Sequence, residues 1–276
     1  MLQLNRVRKR SKEDIIMRIA VISPHTNNNG NTTLAMLIGL EFASLAKTTC
    51  ITHVMPTSKS FKKYLAFKGY ADKTSTPSQI VKILKEGELK GDEVRDYCRG
   101  IVDDFEAFTN ESSNFSKEDM IFMYKYIAKL FPHENVIFDV DDNDLEQNKA
   151  IIKLCDIAVL NITQSIKELD DFRENKAKYL EIIGNKPTVV VINKYNSTAG
   201  SIKEVASWLG IKKPNNWVVL HDNPWIRWAT NHGKLNVLFR TINKKDPRVI
   251  ELSSDLMKIC TTLSKVKSAS DKKGKK

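Results

Sequence analysis

Two hydrophobic rhythms alternate along most of this chain. Residues 18–23 (RIAVIS) form a short β-branched run suited to a strand buried on both faces, and the run stops at Pro24. A polar, Asn-rich stretch follows. Leu34, Leu37, Ile38, Phe42 and Leu45 then recur at spacings of three and four, which predicts a helix over 32–46 lying on a sheet. The alternation returns with a strand at 135–140 (NVIFDV), a helix at 145–154, a strand at 157–162 and a longer helix at 165–183. A strand at 188–193 (TVVVIN), a helix at 201–209 and a last short strand at 217–220 complete it. Strands separated by helices predict an α/β fold: a doubly wound, mainly parallel sheet with helices on both faces and right-handed crossovers. Ligands of such sheets sit at the carboxyl ends of the strands.

Between residues 57 and 132 the pattern gives way to polar, helix-favouring sequence punctuated by Gly69, Gly87, Gly91 and Gly100, which reads as a helical insertion. Within it Phe115, Met120, Ile121, Met123, Tyr124 and Ile127 are either a contact stripe or ordinary core, and core is the better reading. Leu256, Ile259, Cys260, Leu263 and Val266 make a second helical stripe. It has two readings, an amphipathic membrane contact or the last helix of the fold packed on the sheet, and the second is preferred.

Charge changes this picture at the ends only. The 276 residues carry a formal charge of +11, from 44 basic and 33 acidic side chains. Arg6, Arg8, Lys9, Arg10 and Lys12 sit at one end without an acid, and six lysines with Asp271 at the other, so the body between is nearly neutral. The chain divides into a basic N-terminal extension (1–16), one domain (17–265) and a basic tail (266–276). The extension and the tail are suited to non-specific contact with nucleic acid or an anionic membrane, or else are solvated and disordered. Cys50, Cys98, Cys155 and Cys260 lie far apart without a CxxC pair, as reduced, buried thiols would. No apolar run approaches the roughly 20 residues that cross a bilayer, and no signal-peptide pattern follows the basic start, so the expected location is cytoplasmic.

The chemistry is concentrated after the first strand. The run SPHTNNNGNTTLA (23–35) lies between strand and helix, where a phosphate loop belongs. Its position and its GxTT ending resemble the deviant Walker A loop of the ParA/MinD family, KGGxGKT[TS]. Gly30, Thr32 and Thr33 match that pattern. Thr26 stands for the early signature lysine, Asn31 for the second lysine, and Asn27 and Asn28 for two glycines. Downstream, VIFDV resembles the family's Walker B strand and places Asp139 where the carboxylate near Mg²⁺ would stand. Asp141 and Asp142 replace the usual prolines after it. The family's DxDP segment, which helps position the attacking water, corresponds to His53-Val54-Met55-Pro56, with neither acid. Asn193 and Lys194 resemble the family's adenine-recognising NK segment. HDNPWIRWATNHGKLNVL (221–238), with Pro224, Trp225, Trp228 and Gly233, resembles the late loop and helix bordering the base.

The resemblance implies ATP or ADP with Mg²⁺ as ligand, held by Asn29, Gly30, Asn31, Thr32, Thr33, Asn193 and Pro224, with Thr32 and Asp139 at the metal. It also implies a homodimer or a heterodimer with a related ATPase. Asparagine tolerates the left-handed backbone such a loop needs but brings no charge. One lost electrostatic stabiliser of phosphoryl transfer costs several kcal/mol, about a thousandfold in rate. The reading is therefore a degenerate, non-hydrolysing partition or positioning protein with no catalytic residue of its own, with or without a bound nucleotide. An active partition ATPase and a tail-mediated nucleic-acid-binding protein are the alternatives. Against them stand bland roles: Asn31 or Thr32 as helix cap, Asp139 as a strand-end carboxylate bonded to backbone, Asn193 as a turn former. His25 and His53 lack a third ligand for a metal.

Overall fold

Burial on both faces decides where the first strand goes. The computed structural model describes residues 16–24, 30–53, 64, 77–89, 93–108, 116–140, 145–210, 215–243 and 246–274. Among these, the elements run β1 (Met17–Ile22), α1 (Asn31–Ser44), β2 (Thr49–His53), α2 (Pro77–Lys85), β3 (Cys98–Val102), β4 (Phe105–Phe108), α3 (Lys117–Leu130), β5 (Asn135–Val140) and α4 (Leu145–Leu154). They continue with β6 (Ile157–Ile162), α5 (Ile166–Glu174), α6 (Lys176–Ile183), β7 (Thr188–Tyr195), α7 (Ile202–Trp208), β8 (Trp217–His221), α8 (Pro224–Asn231), α9 (Leu235–Asn243) and α10 (Ile250–Gly274). The strands form one sheet in the order β3-β4-β2-β5-β1-β6-β7-β8. All neighbours are parallel except β3 and β4. β1 is central, paired with β5 along its whole length and with β6 on the other side.

Strand side chains alternate between the two faces and build two cores. Ile19 and Val21 point into one with Ile137, Val159 and Val191, under α1, α8, α9 and α10. Ala20 and Ile22 point into the other with Phe138, Leu160 and Ile192, under α2 to α7. Helix α1 is buried nearly all round, because the sheet lies on one side and α9 and α10 on the other. The stripe Leu256, Ile259, Cys260, Leu263 and Val266 faces this core, so it is the packed face of the last helix. Met120, Met123, Tyr124 and Ile127 are likewise core, while Phe115 lies outside the described residues. All four cysteines are free and buried.

Several expectations are corrected. The span 57–132 is not purely helical, because β3 and β4 form a hairpin on the sheet edge with Asp104 at φ 61° in its turn. The strands are short, and Gly100 within β3 weakens the β signal. The helix expected at 165–183 is two helices. Asn175 breaks it, its side-chain amide donating to the Asp171 carbonyl at 2.9 Å in competition with the backbone. The basic tail is helical as far as Gly274 rather than disordered. Lys267 turns back to Asp271 at 2.6 Å and to Asp156 at 3.7 Å, which neutralises one of the tail's charges internally. The 1–16 extension is described only at Ile16.

The hairpin is fastened to α1 through a missing side chain. A Cβ at Gly39 would lie 2.3 Å from Phe105 Cζ, so the helix passes over the ring only because residue 39 has none. Gly39→Ala is expected to destabilise by about 1–3 kcal/mol through overpacking. In a domain of this size that is a fall in melting temperature of roughly 2–4 °C per kcal/mol. Phe105→Leu in the same chain should return part of the loss, and strict additivity of the two substitutions in thermal melts would contradict the contact.

Candidate functional site at the carboxyl ends of β1, β5 and β7

Parallel pairing brings the ends of β1, β5 and β2 side by side, and α1 starts above them. Gly30 is the N-cap of α1, at φ 71° and ψ 29°, and its carbonyl accepts the first intrahelical bond from Leu34 N–H at 2.8 Å. The cap is thus a left-handed glycine, not the side chain of Asn31 or Thr32. A Cβ at Gly30 would stand 3.1 Å from Asn193 Nδ2, so any side chain here meets both backbone strain and the end of β7. The first-turn amides of Asn31, Thr32 and Thr33 lack intrahelical acceptors and carry the positive end of the helix dipole.

Asn31 does not extend toward the loop. It is buried, 5 % exposed, with its side-chain Nδ2 donating to Asp139 Oδ1 at 2.9 Å, to the Val21 carbonyl at 3.0 Å and, at 3.4 Å, to that of Val140. One amide therefore ties the helix start to the ends of β1 and β5. Asp139 is completely buried, and its Oδ2 lies 3.5 Å from Nε2 of His53, its register neighbour on β2. Asn31 Oδ1 and Asp139 Oδ2 have no hydrogen-bond partner among the described residues. Burial raises the Asp139 pKa above its ordinary 3.8, opposed by His53 and by hydrogen bonds from Thr32 and Asn31.

The remaining candidates are placed around this cluster. Thr32 is buried beside it, and Thr33 is half-buried one residue on. Asn193, at the end of β7, is buried, and its Oδ1 accepts from Lys194 N–H at 2.8 Å while Lys194 takes φ 52°. It therefore makes the turn and touches the loop as well. Pro224 opens α8 one strand further out, exposed, behind an Asn223 cap that accepts from Trp225 N–H at 2.8 Å. His25, Thr26, Asn27, Asn28, Asn29, Val54, Met55, Pro56, Asp141 and Asp142 lie outside the described residues. Gly30, Asn31, Thr32, Asp139 and Asn193 come together; Pro224 stands apart at the rim.

One contact and one contributor were not visible in sequence. His53 faces Asp139 because β2 and β5 pair in register, which only the sheet order reveals. Tyr179 of α6 donates its hydroxyl to the Pro24 carbonyl at 2.5 Å, holding the start of the loop from a helix 155 positions away. Among the described residues no three His, Cys, Asp or Glu side chains cluster as a metal site would require.

No family model matches the sequence, and no curated protein sequence matches it. The fold does match known structures. MinD, the septum site-determining protein of Pyrococcus horikoshii OT3 complexed with Mg-ADP, superposes with a TM-score of 0.65 at 12% identity, covering 93% of this chain and 99% of that one. The chain has the MinD/ParA fold. A ParA family ATPase from Chlorobium tepidum TLS gives a TM-score of 0.64 at 13% identity over 88% of this chain and 96% of that one. A Cyanothece McdA variant in complex with ATP gives 0.57 at 15% over 92% and 96%. The likeness of loop and Walker B strand read from sequence thus agrees with the MinD/ParA architecture. No helix among the described residues is long and apolar enough to cross a membrane.

The raised pKa of Asp139 sets a pH dependence. A carboxyl whose folded pKa exceeds its unfolded one contributes stability that is complete below the unfolded value and is lost as pH rises through the folded value. Asp139→Asn removes that loss. Its stability relative to the parent is therefore expected to rise as pH increases from the ordinary carboxylate range through the raised value of Asp139, read in denaturant titrations. A pH-independent difference would show that the carboxylate is held without penalty.

Proposed function

We propose that this chain is a degenerate member of the ParA/MinD group: a cytoplasmic positioning, partition or regulatory adaptor that binds a nucleotide without hydrolysing it. It pairs with itself or with a related ATPase. The observation that carries this reading is the side chain of Asn31. At the position of the family's second loop lysine, it is neutral and its amide is committed to Asp139, Val21 and Val140. His53 stands where the family's second strand ends in an acid, and it is turned to the same carboxylate. Phosphoryl transfer is catalysed by positioning and charge stabilisation, so this arrangement retains the position and lacks the charge.

What remains favours an anion: the α1 amides, the helix dipole and the approach of Asn193 to Gly30. The related folds include a MinC:MinD complex from Aquifex aeolicus, and an adaptor role for this chain takes its partner surface by analogy with such assemblies. The basic extension and tail then act as secondary contacts to anionic surfaces rather than as the main activity.

Purified protein is expected to turn over ATP no faster than the uncatalysed background. Asn31→Lys should tighten ATP binding about tenfold or more, a gain of at least roughly 1.4 kcal/mol, with turnover still at background because the second-strand acids are absent. Robust turnover in the unmodified chain that vanishes on Thr32→Ala would reverse the reading in favour of the active ATPase.

A further inference from the structure

The fold family implies magnesium here, and the donor set decides whether it fits. Mg²⁺ requires near-octahedral oxygen ligands at about 2.0–2.1 Å and keeps several of its waters. The two candidate protein ligands are Thr32 and Asp139. Asp139 is fully buried, and its Oδ1 faces the N–H of the Asn31 amide at 2.9 Å, a donor contact that a cation would have to displace. The same amide is pinned by Val21 and Val140, so moving it breaks further bonds. The other carboxylate oxygen faces the imidazole of His53, 3.5 Å away, where a second acid would be needed to add negative charge. Asn31 Oδ1 and Asp139 Oδ2 are inaccessible to solvent and have no hydrogen-bond partner among the described residues. These residues do not fit Mg²⁺.

We infer that the site takes its nucleotide as the metal-free anion, and that it binds a nucleoside diphosphate at least as tightly as the triphosphate. This rests on the nucleotide-binding part of the proposed function and adds its chemistry. In a site with lysine and Mg²⁺, positive charge balances the γ-phosphate. Among the described residues, the groups at the helix start that can meet phosphate are the amides of residues 31–33, the helix dipole and the neutral side chains of Thr32, Thr33 and Asn193. Helix-terminal stabilisation is local, falling off within the first turn, so it serves one or two phosphate groups and leaves the charge of a third uncompensated. The buried carboxylate of Asp139 adds repulsion for each further negative charge. The consequence is an adaptor whose nucleotide-bound state does not report the difference between ATP and ADP.

The test is calorimetric titration of the full chain with ADP and with ATP, each in millimolar Mg²⁺ and in excess EDTA, together with thermal melts under the same four conditions. The inference expects dissociation constants within about threefold between Mg²⁺ and EDTA, with ADP no weaker than ATP and the same pattern in the melting shifts. Tightening of tenfold or more by Mg²⁺, or ATP binding tenfold tighter than ADP, overturns it while leaving the non-hydrolysing reading intact. Absence of binding in all four conditions overturns it together with the nucleotide-binding part of the proposed function, whereas catalytic turnover is what overturns the rest. The double variant Asn31→Lys/His53→Asp restores a cation and an acid and is expected to acquire Mg²⁺ dependence. If it folds, as judged by its melt, and stays insensitive to Mg²⁺, the assignment of that insensitivity to these two residues is overturned.

Discussion

A carboxylate with no access to water must be neutralised or closely hydrogen-bonded, and Asp139 sits under this constraint at the centre of the sheet. Its partners come from two separate elements. Asn31 opens α1, Thr32 follows it, and His53 ends β2. The start of α1, the ends of β1 and β5 and the edge of β2 are therefore mutually positioned by one side chain. Leaving a buried charge unpaired costs more than the pairing yields. That asymmetry fixes the direction of Asn31, which turns inward because Asp139 needs a donor more than the loop needs an amide.

The MinD/ParA fold of this chain is held mainly by packing away from that cluster. The fold rests on the two cores on either side of β1, and among the described residues neither core contains Ser23, Pro24 or Gly30. Gly30 keeps the left-handed entry to the helix, and Asn193 closes on it. The charge of the side chain at position 31 bears on what could bind beside Asp139, while the backbone path is set by packing elsewhere. Function and fold are separable at that residue because it contacts the site from one side and the core from the other.

The parts legible in sequence were those where one local signal dominates. β5 and β6 fall at the expected residues because their apolar runs are bounded by polar or charged positions and buried on both faces, and α4 falls at the expected residues between them. The β3–β4 hairpin was not legible, since four- and five-residue strands with an internal glycine look like loop until β2 offers them an edge. Asn175 as a helix break was visible in type but not in effect. Gly30, Thr32, Asp139 and Asn193 were found through their order along the chain. The inward turn of Asn31 and the approach of His53 depend on register between strands, and no local pattern encodes that.

The central place of β1 has a consequence for synthesis. Met17 pairs with Asn135 and Ile19 with Ile157, so the strand near the beginning of the chain has no neighbour until about half of the protein has been made. At about 5–20 residues per second, the ribosome takes on the order of ten seconds to deliver β5. Through that interval the nascent chain carries an unpaired apolar strand and the apolar run Leu34–Leu40 of the first helix, the kind of exposed surface that chaperones hold. The site at the end of β1 therefore cannot form until β5 has been made.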